Sequence, residues 1–270
     1  MEFNVNNSFF TGKFLIHLAA VDSTNNFAKQ HMAKSSPIDG TVILADEQFA
    51  GRGQAGTSWT SDANTNLTFS LIYHTSFLRA TEQFYLNMAV SIGLVQAIDA
   101  LLNERNSISA EDGHARMSVK VKWPNDIYVN EKKIAGVLIE NSISGMQLKY
   151  SVIGIGLNVN QTEFPEGLNA VGMKRPGGDE LDRNLVLNEM LSSIEKYFLL
   201  LKERKFELLK NKYLENLYRF REEASYSRGG ELFRASIADV EDSGKLILQT
   251  EKGREHFGFK EIVFIGSGPS

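Results

Sequence analysis

Between Val119 and Glu140 the chain alternates in a way that predicts a strand meander. Val119, Val121 and Trp123 are separated by Lys120 and Lys122, the period-two signature of a half-buried strand. Pro124-Asn125-Asp126 breaks that run, because proline donates no ladder hydrogen bond and Asn and Asp close turns with their own side chains. Residues 127–129 form a second strand, Asn130-Glu131-Lys132-Lys133 a polar turn, and residues 134–139 a third strand. Similar patterning predicts strands over 13–21, 41–46, 66–73 and 150–159. A helix is predicted over 81–104, where Phe84, Met88, Ile92, Val95, Ile98 and Leu102 make one apolar stripe for packing against a sheet. Residues 105–117 read as a loop. Leu187, Leu191, Ile194, Phe198 and Leu201 begin another helical pattern, and Phe206, Leu209, Tyr213 and Leu217 continue it after a phase change at 202–205, which predicts two helices or a bend.

Beyond Arg221 the texture changes. Turn clusters at Ser227-Arg228-Gly229-Gly230, Glu241-Asp242-Ser243-Gly244 and Glu251-Lys252-Gly253 separate short strands at 232–240, 245–249, 256–259 and 262–265. That rhythm predicts a small all-β barrel, and hence a boundary between residues 1–222 and 223–270.

Composition narrows the class. A chain of 270 residues, 42% hydrophobic, buries a full core. Its net charge of −4 argues against a sequence-independent nucleic-acid binder, and the absence of cysteine excludes disulfides, thiolate nucleophiles and cysteine-ligated zinc. The histidines (His17, His31, His74, His114, His256) are too scattered for a local metal motif. No unbroken apolar run approaches 18 residues and the N-terminus lacks a secretion-signal pattern, which predicts a soluble cytoplasmic protein with no membrane partner.

Candidate chemistry sits at the strand ends. Asp22-Ser23-Thr24-Asn25 can cap a helix, but a helix N-terminus also offers donors to a ligand. Gly51, Gly53 and Gly56 fit GxGxxG, yet turn formers at 57–63 and a strand follow where a dinucleotide fold needs a helix. What remains is a glycine-rich loop carrying Arg52, able to wrap a carboxylate or phosphate. Lys122, Asp126 and Lys133 lie on one rigid meander with Gly136 inside an apolar strand; lysines there are ordinarily solvated, but this company suits an anion. Gly154 and Gly156 share one face of their strand, leaving either a groove or room for a packed helix.

Taken in order, Asp22-Ser23-Thr24-Asn25, Gln48 with Gly51-Arg52-Gly53-Gln54-Ala55-Gly56, Lys122-Trp123-Pro124-Asn125-Asp126, Lys133-Ile134-Ala135-Gly136 and Gly154-Ile155-Gly156-Leu157-Asn158 resemble the biotin protein ligases. The resemblance covers nearly the whole chain. It implies an α+β fold, a mixed central β-sheet with packed helices of the class II aminoacyl-tRNA-synthetase-like, biotin-lipoate ligase type, plus a C-terminal Src-homology-3-like barrel. It also implies ATP-dependent, AMP-forming chemistry: biotin is activated as biotinyl-5′-AMP with Mg²⁺, then passed to a lysine of a biotin carboxyl carrier protein.

By resemblance, the catalytic residues are Arg52, Lys133, Lys122 and Asp126. Biotin falls to Ser23, Thr24, Asn25, Gln48, Gly51, Arg52, Gly53, Gln54, Lys133, Gly136, Gly154 and Gly156; ATP falls to Arg52, Gln54, Ala55, Trp59, Lys122, Asn125, Lys133 and Asn158. Asp126 either helps hold Mg²⁺ or orients the incoming lysine. Many relatives carry a second arginine where Gln54 stands, so this loop has one cation fewer. Only 21 residues precede Asp22, which predicts a ligase with no DNA partner and no operator-binding activity. Monomer and homodimer both remain open. The alternatives are a lipoate-protein ligase and a biotin-binding protein without turnover.

Overall fold

The computed structural model describes residues 3–108 and 116–266. Part of the predicted loop at 105–117 and the end of the predicted barrel therefore lie outside the described residues. A seven-stranded sheet forms the centre, built from β1 (Leu15–Val21), β2 (Thr41–Gln48), β5 (Leu67–His74), β6 (Val119–Lys122), β7 (Asp126–Val129), β8 (Lys132–Ser144) and β9 (Gln147–Leu157), in the order β1-β2-β5-β9-β8-β7-β6. β1 and β2 are parallel and every other neighbouring pair is antiparallel, so the sheet is mixed. Two short strands, β3 (Gly51–Arg52) and β4 (Ser58–Trp59), pair with each other beside it.

Alternation gives the sheet two unlike faces. Val42, Leu44, Phe69, Leu71, Tyr73, Val137, Ile153 and Ile155 enter the main core, which lies under α2 (Gln83–Ile108) and α3 (Arg183–Lys202). The opposite face holds a small separate cluster, Ile43, Ile72 and Val152, capped by Ala28 of α1 (Thr24–Lys34). Between the residues of that small cluster and the edge strand, this face turns small and polar.

α2 departs from the single-stripe expectation. Leu86, Ala89, Val90, Leu94 and Ala97 are buried together with the predicted stripe, because α3 covers the side that the sheet does not. The two helices meet closely at Gly93, where a Cβ would stand 2.7 Å from the Ile194 Cα. The segment Ala80–Asn103 is long and apolar enough to cross a bilayer, but most of it is buried in this core, and packing accounts for its apolarity. α2 also runs on to Ile108, where the sequence reads as loop. The phase change at 202–205 is a true break: α3 ends at Lys202, Arg204 takes φ 58°, and α4 (Phe206–Glu215) follows.

The second sheet is a five-stranded antiparallel unit, order β13-β12-β11-β10-β14, from β10 (Glu223–Arg228), β11 (Glu231–Val240), β12 (Leu246–Thr250), β13 (Gly253–Phe257) and β14 (Val263–Phe264). β10 is a strand that the sequence reading passes over, since its alternation is carried only by Ala224 and Tyr226. The turn before β12 docks on the first sheet. Trp123 Nε1 donates to the Gly244 carbonyl (3.0 Å), and Gly244, at φ +92°, lies so close to the Phe84 ring that a Cβ would meet it at 2.5 Å.

Candidate active site

Register produces the floor of a cleft. Across the sheet, Ala45, Thr68, Gly156, Gly136, Asp126 and Lys122 are successive pairing partners, and paired residues point to the same side. The adjacent row is Ile43, Ser70, Gly154 and Leu138. Two rows that combine glycine, serine and threonine leave space above them, part of which the Asn25 and Trp59 side chains enter. The result is a cavity of about 370 Å³ lined by Thr24, Gln48, Arg52, Trp59, Asn125 and Lys133 among others.

One wall is the start of α1. Ser23 is the N-cap, its hydroxyl accepting from the Asn26 amide (3.5 Å), so the capping reading holds for this residue. Its neighbours are free for other work. Thr24 N–H donates to Gln48 Oε1 (2.8 Å), while Ser70 Oγ bonds both Thr24 Oγ1 (2.8 Å) and Asn25 Oδ1 (2.6 Å). Asn25 Nδ2 reaches Glu140 Oε2 (2.9 Å), closing a polar chain from Gln48 to β8. Asp22 is held below the usual carboxylate range by its hydrogen bonds from Asn26 and the Ser23 backbone.

The glycine loop forms the second wall. Gly53 N–H donates to Thr57 O (2.7 Å) and Thr57 Oγ1 to Gln54 O (2.9 Å), closing β3 onto β4 through one turn of 3₁₀ helix, Gln54–Gly56. Arg52 sits at the margin, its Nη2 donating to Asn26 Oδ1 (2.7 Å) and standing 3.4 Å from Glu140 Oε2. Trp59 lies over the glycines: a Cβ on Gly156 would fall 2.2 Å from its ring, and one on Gly136 would fall 3.4 Å from it. Its indole Nε1 is buried with no partner, an orphan donor inside the cleft.

The Pro124 turn and β8 supply the third wall. The Pro124 carbonyl accepts from both Asn87 Nδ2 (2.8 Å) and Tyr213 OH (2.7 Å), so α2 and α4 brace the turn from behind. Asn125 is buried and its amide donates to Val137 O. Asp126 Oδ1 pairs with Lys133 Nζ at 2.8 Å, and that ammonium also lies 5.9 Å from the Trp59 ring centroid. Lys133 is fixed by its backbone as well, through bonds with Asn169 and Val171 that draw the 161–180 loop over the rim and bring Leu168 into the lining.

Most of the expected site residues converge on one cleft. Ser23, Thr24, Asn25, Gln48, Arg52, Gly53, Gln54, Trp59, Asn125, Asp126, Lys133, Gly136, Gly154 and Gly156 all line the one cavity. Lys122 does not. It occupies the last position of the floor row, on the edge strand, and its Nζ turns to Tyr128 OH (3.1 Å) and the Tyr128 and Phe264 rings. Burial pushes its pKa down, with Asp126 opposing and Arg219 and Lys133 reinforcing the shift. So two of the three predicted cations meet in the cavity, and the third stands beside it.

Asn158 also lies away from the lining, its Nδ2 spent on the Val171 carbonyl (3.1 Å). Gly51 acts behind the wall, where a Cβ would meet the Trp59 carbonyl at 2.3 Å and Gln48 Nε2 at 2.6 Å. The Ala55 side chain lies outside the described residues. Nor is the space beside Gly154 and Gly156 an open groove: Asn25 fills the first, with a Cβ at 2.5 Å from its Oδ1, and Trp59 the second. Thr68, Ser70, Asn26 and Glu140 belong to the site and escape the sequence reading. Two polar residues at a two-residue spacing inside the apolar run of β5 are the signal that finds Thr68 and Ser70.

Among the described residues no group of three or more His, Cys, Asp or Glu side chains converges as a metal site, and Asp126 is the one carboxylate lining the cavity. That donor set suits a Mg²⁺ carried mainly by substrate phosphates, with at most one protein carboxylate.

A sequence model of the biotin/lipoate A/B protein ligase family matches residues 18–158. The bifunctional ligase/repressor BirA of Bacillus spizizenii is 29% identical over 247 residues, covering 90% of this chain and 71% of the relative. The biotin–[acetyl-CoA-carboxylase] ligase of Paracoccus denitrificans is 28% identical over 257 residues, 92% of this chain and 100% of that one. Among solved structures, the Aquifex aeolicus biotin protein ligase in complex with biotin and ATP superposes with a TM-score of 0.72 at 28% identity, covering 94% of this chain and 100% of that one.

Proposed function

The chain belongs to the biotin/lipoate A/B protein ligase family, on its biotin protein ligase side, and from that premise we propose that it joins biotin to AMP and passes the biotinyl group to a lysine of a biotin carboxyl carrier protein. A biotin carboxylate oxygen attacks the α-phosphorus of ATP, and the bond to the β-phosphate oxygen breaks to release pyrophosphate. The acceptor lysine, as the neutral amine, then attacks the acyl carbon, AMP leaves with the bonding pair, and the nitrogen gives up a proton to water as the amide forms. Both steps build negative charge at a phosphoryl or acyl centre, so cations fixed beforehand lower the barrier.

The observation that carries this reading is the shared cavity in which Arg52 and Lys133 flank a floor of Thr68, Gly156 and Gly136. Within it, the Gln48–Thr24–Ser70–Asn25 chain suits the donors and acceptors of a ureido ring. Trp59, with its aromatic face beside Lys133, suits an adenine wall once nucleotide is present. Lys122, at the end of the same floor row next to Asp126, is assigned to the outer phosphates that extend past the cavity. MgATP is the substrate, and Asp126 is the protein carboxylate nearest to serve the ion or, released from Lys133, the incoming amine.

We assign residues 1–222 to catalysis and leave DNA out of the partner set, which the net charge of −4 supports. A cytoplasmic location follows from carrier proteins as acceptors and agrees with a chain free of cysteine. The test is pyrophosphate exchange with ATP in the presence of biotin, followed by the mass of a carboxyl carrier domain after incubation with protein, biotin and ATP. Exchange with biotin and one biotinyl added to the carrier is the expected result. Exchange with lipoate alone, or none with either acid, overturns the reading.

A further inference from the structure

Glu140 is a carboxylate beside an anion site, and its surroundings explain why it is tolerated. It lies on β8 four residues past Gly136, so its side chain rises on the cleft face. Three donors from separate segments converge on it: Lys29 Nζ at 2.8 Å from the second turn of α1, Asn25 Nδ2 at 2.9 Å from the first turn, and Arg52 Nη2 at 3.4 Å from the glycine loop. Burial opposes its charge, but the bonds from Lys29 and Asn25 and the charges of Lys29 and Arg52 prevail and keep its pKa below the usual carboxylate value.

Among the described residues, Arg52 spends only Nη2 on protein partners, Asn26 Oδ1 and the Glu140 carboxylate. Nη1 and Nε stay available, and a guanidinium held by one nitrogen presents its remaining donors in a fixed plane. Asn26 is itself held by Asp22, so the arginine is gripped between a helix turn and a strand rather than left on its loop.

We propose that Glu140 is a positioning residue that acts through Arg52, anchoring one edge of the guanidinium to the sheet so that the other edge faces the carboxylate of the acid being activated. This rests on the ligase reading above. A carboxylate at this place tethers the loop cation to the same strand that carries Lys133 and Gly136, fixing the spacing of the two cavity cations. The role differs from that of Lys29, which neutralises Glu140 from the solvent side without lining the cavity.

The experiment is a double-mutant cycle in biotin-dependent pyrophosphate exchange, using Glu140→Gln and Arg52→Gln singly and together, with Lys29→Met as a companion and thermal melting of each variant. The unsubstituted protein first has to exchange; if it does not, the ligase reading falls and this inference with it. Given exchange, Glu140→Gln is expected to raise the biotin KM about tenfold or more in the parent and less than about twofold when Arg52 is already Gln. Lys29→Met is expected to reproduce only a minor part of that loss. Glu140→Asp, which keeps the charge on a shorter stem, is expected to recover part of it, and serves as the folded comparison if Glu140→Gln melts early. Equal losses with and without Arg52, an unchanged KM in Glu140→Gln, or a Lys29→Met loss as large as that of Glu140→Gln would each overturn the role of Glu140 and leave the ligase reading standing.

Discussion

Lys133 and Asp126 neutralise each other at 2.8 Å on the cavity wall, and a substrate phosphate would replace a partner that is already negative. Lys133→Ala is therefore expected to lower biotin-dependent pyrophosphate exchange by about 10²-fold or more while the protein melts cooperatively near its normal temperature, because removal of one preorganised charge costs on that order. Exchange at the parental rate would remove Lys133 from the chemistry. Ser70 is a subtler case. Its hydroxyl joins Thr24 to Asn25, and Ser70→Ala leaves two buried polar groups without a bridge. The expected loss is about 1–3 kcal/mol shared between stability and biotin affinity, read from urea unfolding with and without biotin.

Lys122 gives a prediction with a defined sign. Its folded pKa lies below the unfolded one, so below the folded pKa the native state alone bears the penalty of a partly buried charge. As pH rises through the folded pKa toward the ordinary lysine value, the native side chain loses its proton first and the penalty fades. Lys122→Met is expected to stabilise the fold at neutral pH, by an amount that shrinks toward pH 10, in urea melts at both pH values. A constant difference across that range would assign the effect to packing alone. If Lys122 faces the outer phosphates, the same variant also raises the KM for ATP.

For whole elements, what was legible in the sequence is what depends on neighbours along the chain. Alternation in 119–123 and 66–73, the caps at 22–25 and the break at 202–205 are local, and each maps onto an element of the structure. Strand β10 was not legible because Glu223, Ser225 and Arg228 surround its two buried positions with turn-like residues, and only pairing with β11 and β14 makes it a strand. The outer half of β8 is illegible for a related reason: polar residues such as Asn141 and Ser144 extend a ladder whose partner, Gln147 onward, lies across a hairpin. The packing of α2 against α3 at Gly93 was invisible too. There a methyl group would press on backbone rather than on a flexible side chain, so Gly93→Ala is expected to cost about 1–3 kcal/mol in urea unfolding even though alanine favours helix. A neutral or stabilising result would mean that the helices separate easily.

The same limit governs the site across the whole molecule. Motif residues were legible one segment at a time, and most of them line one cavity; Lys122 and Asn158 fall outside it because a side chain's direction depends on the edge of the sheet and on the loop above it. Glu140 and Ser70 were not legible, since their partners lie 115 and 45 residues away from Asn25's point of view. The second sheet is part of this architecture, for Trp123, just past β6 of the first sheet, donates to the carbonyl of Gly244 in the turn between β11 and β12. Trp123→Phe would leave that buried carbonyl unpaired, with an expected loss of about 1–3 kcal/mol and faster amide exchange in 231–250. Unaltered exchange there would mean that the two sheets are joined by other contacts.

The notch at Gly154 is occupied by Asn25, which comes from a helix 129 positions earlier in the chain. Neither position can therefore drift alone: a methyl at one evicts the amide of the other, and a bulkier group at the helix start finds no hollow to enter. Inheritance at these two sites is expected to be joint, and a library randomised at both should recover working pairs only where the combined bulk is conserved.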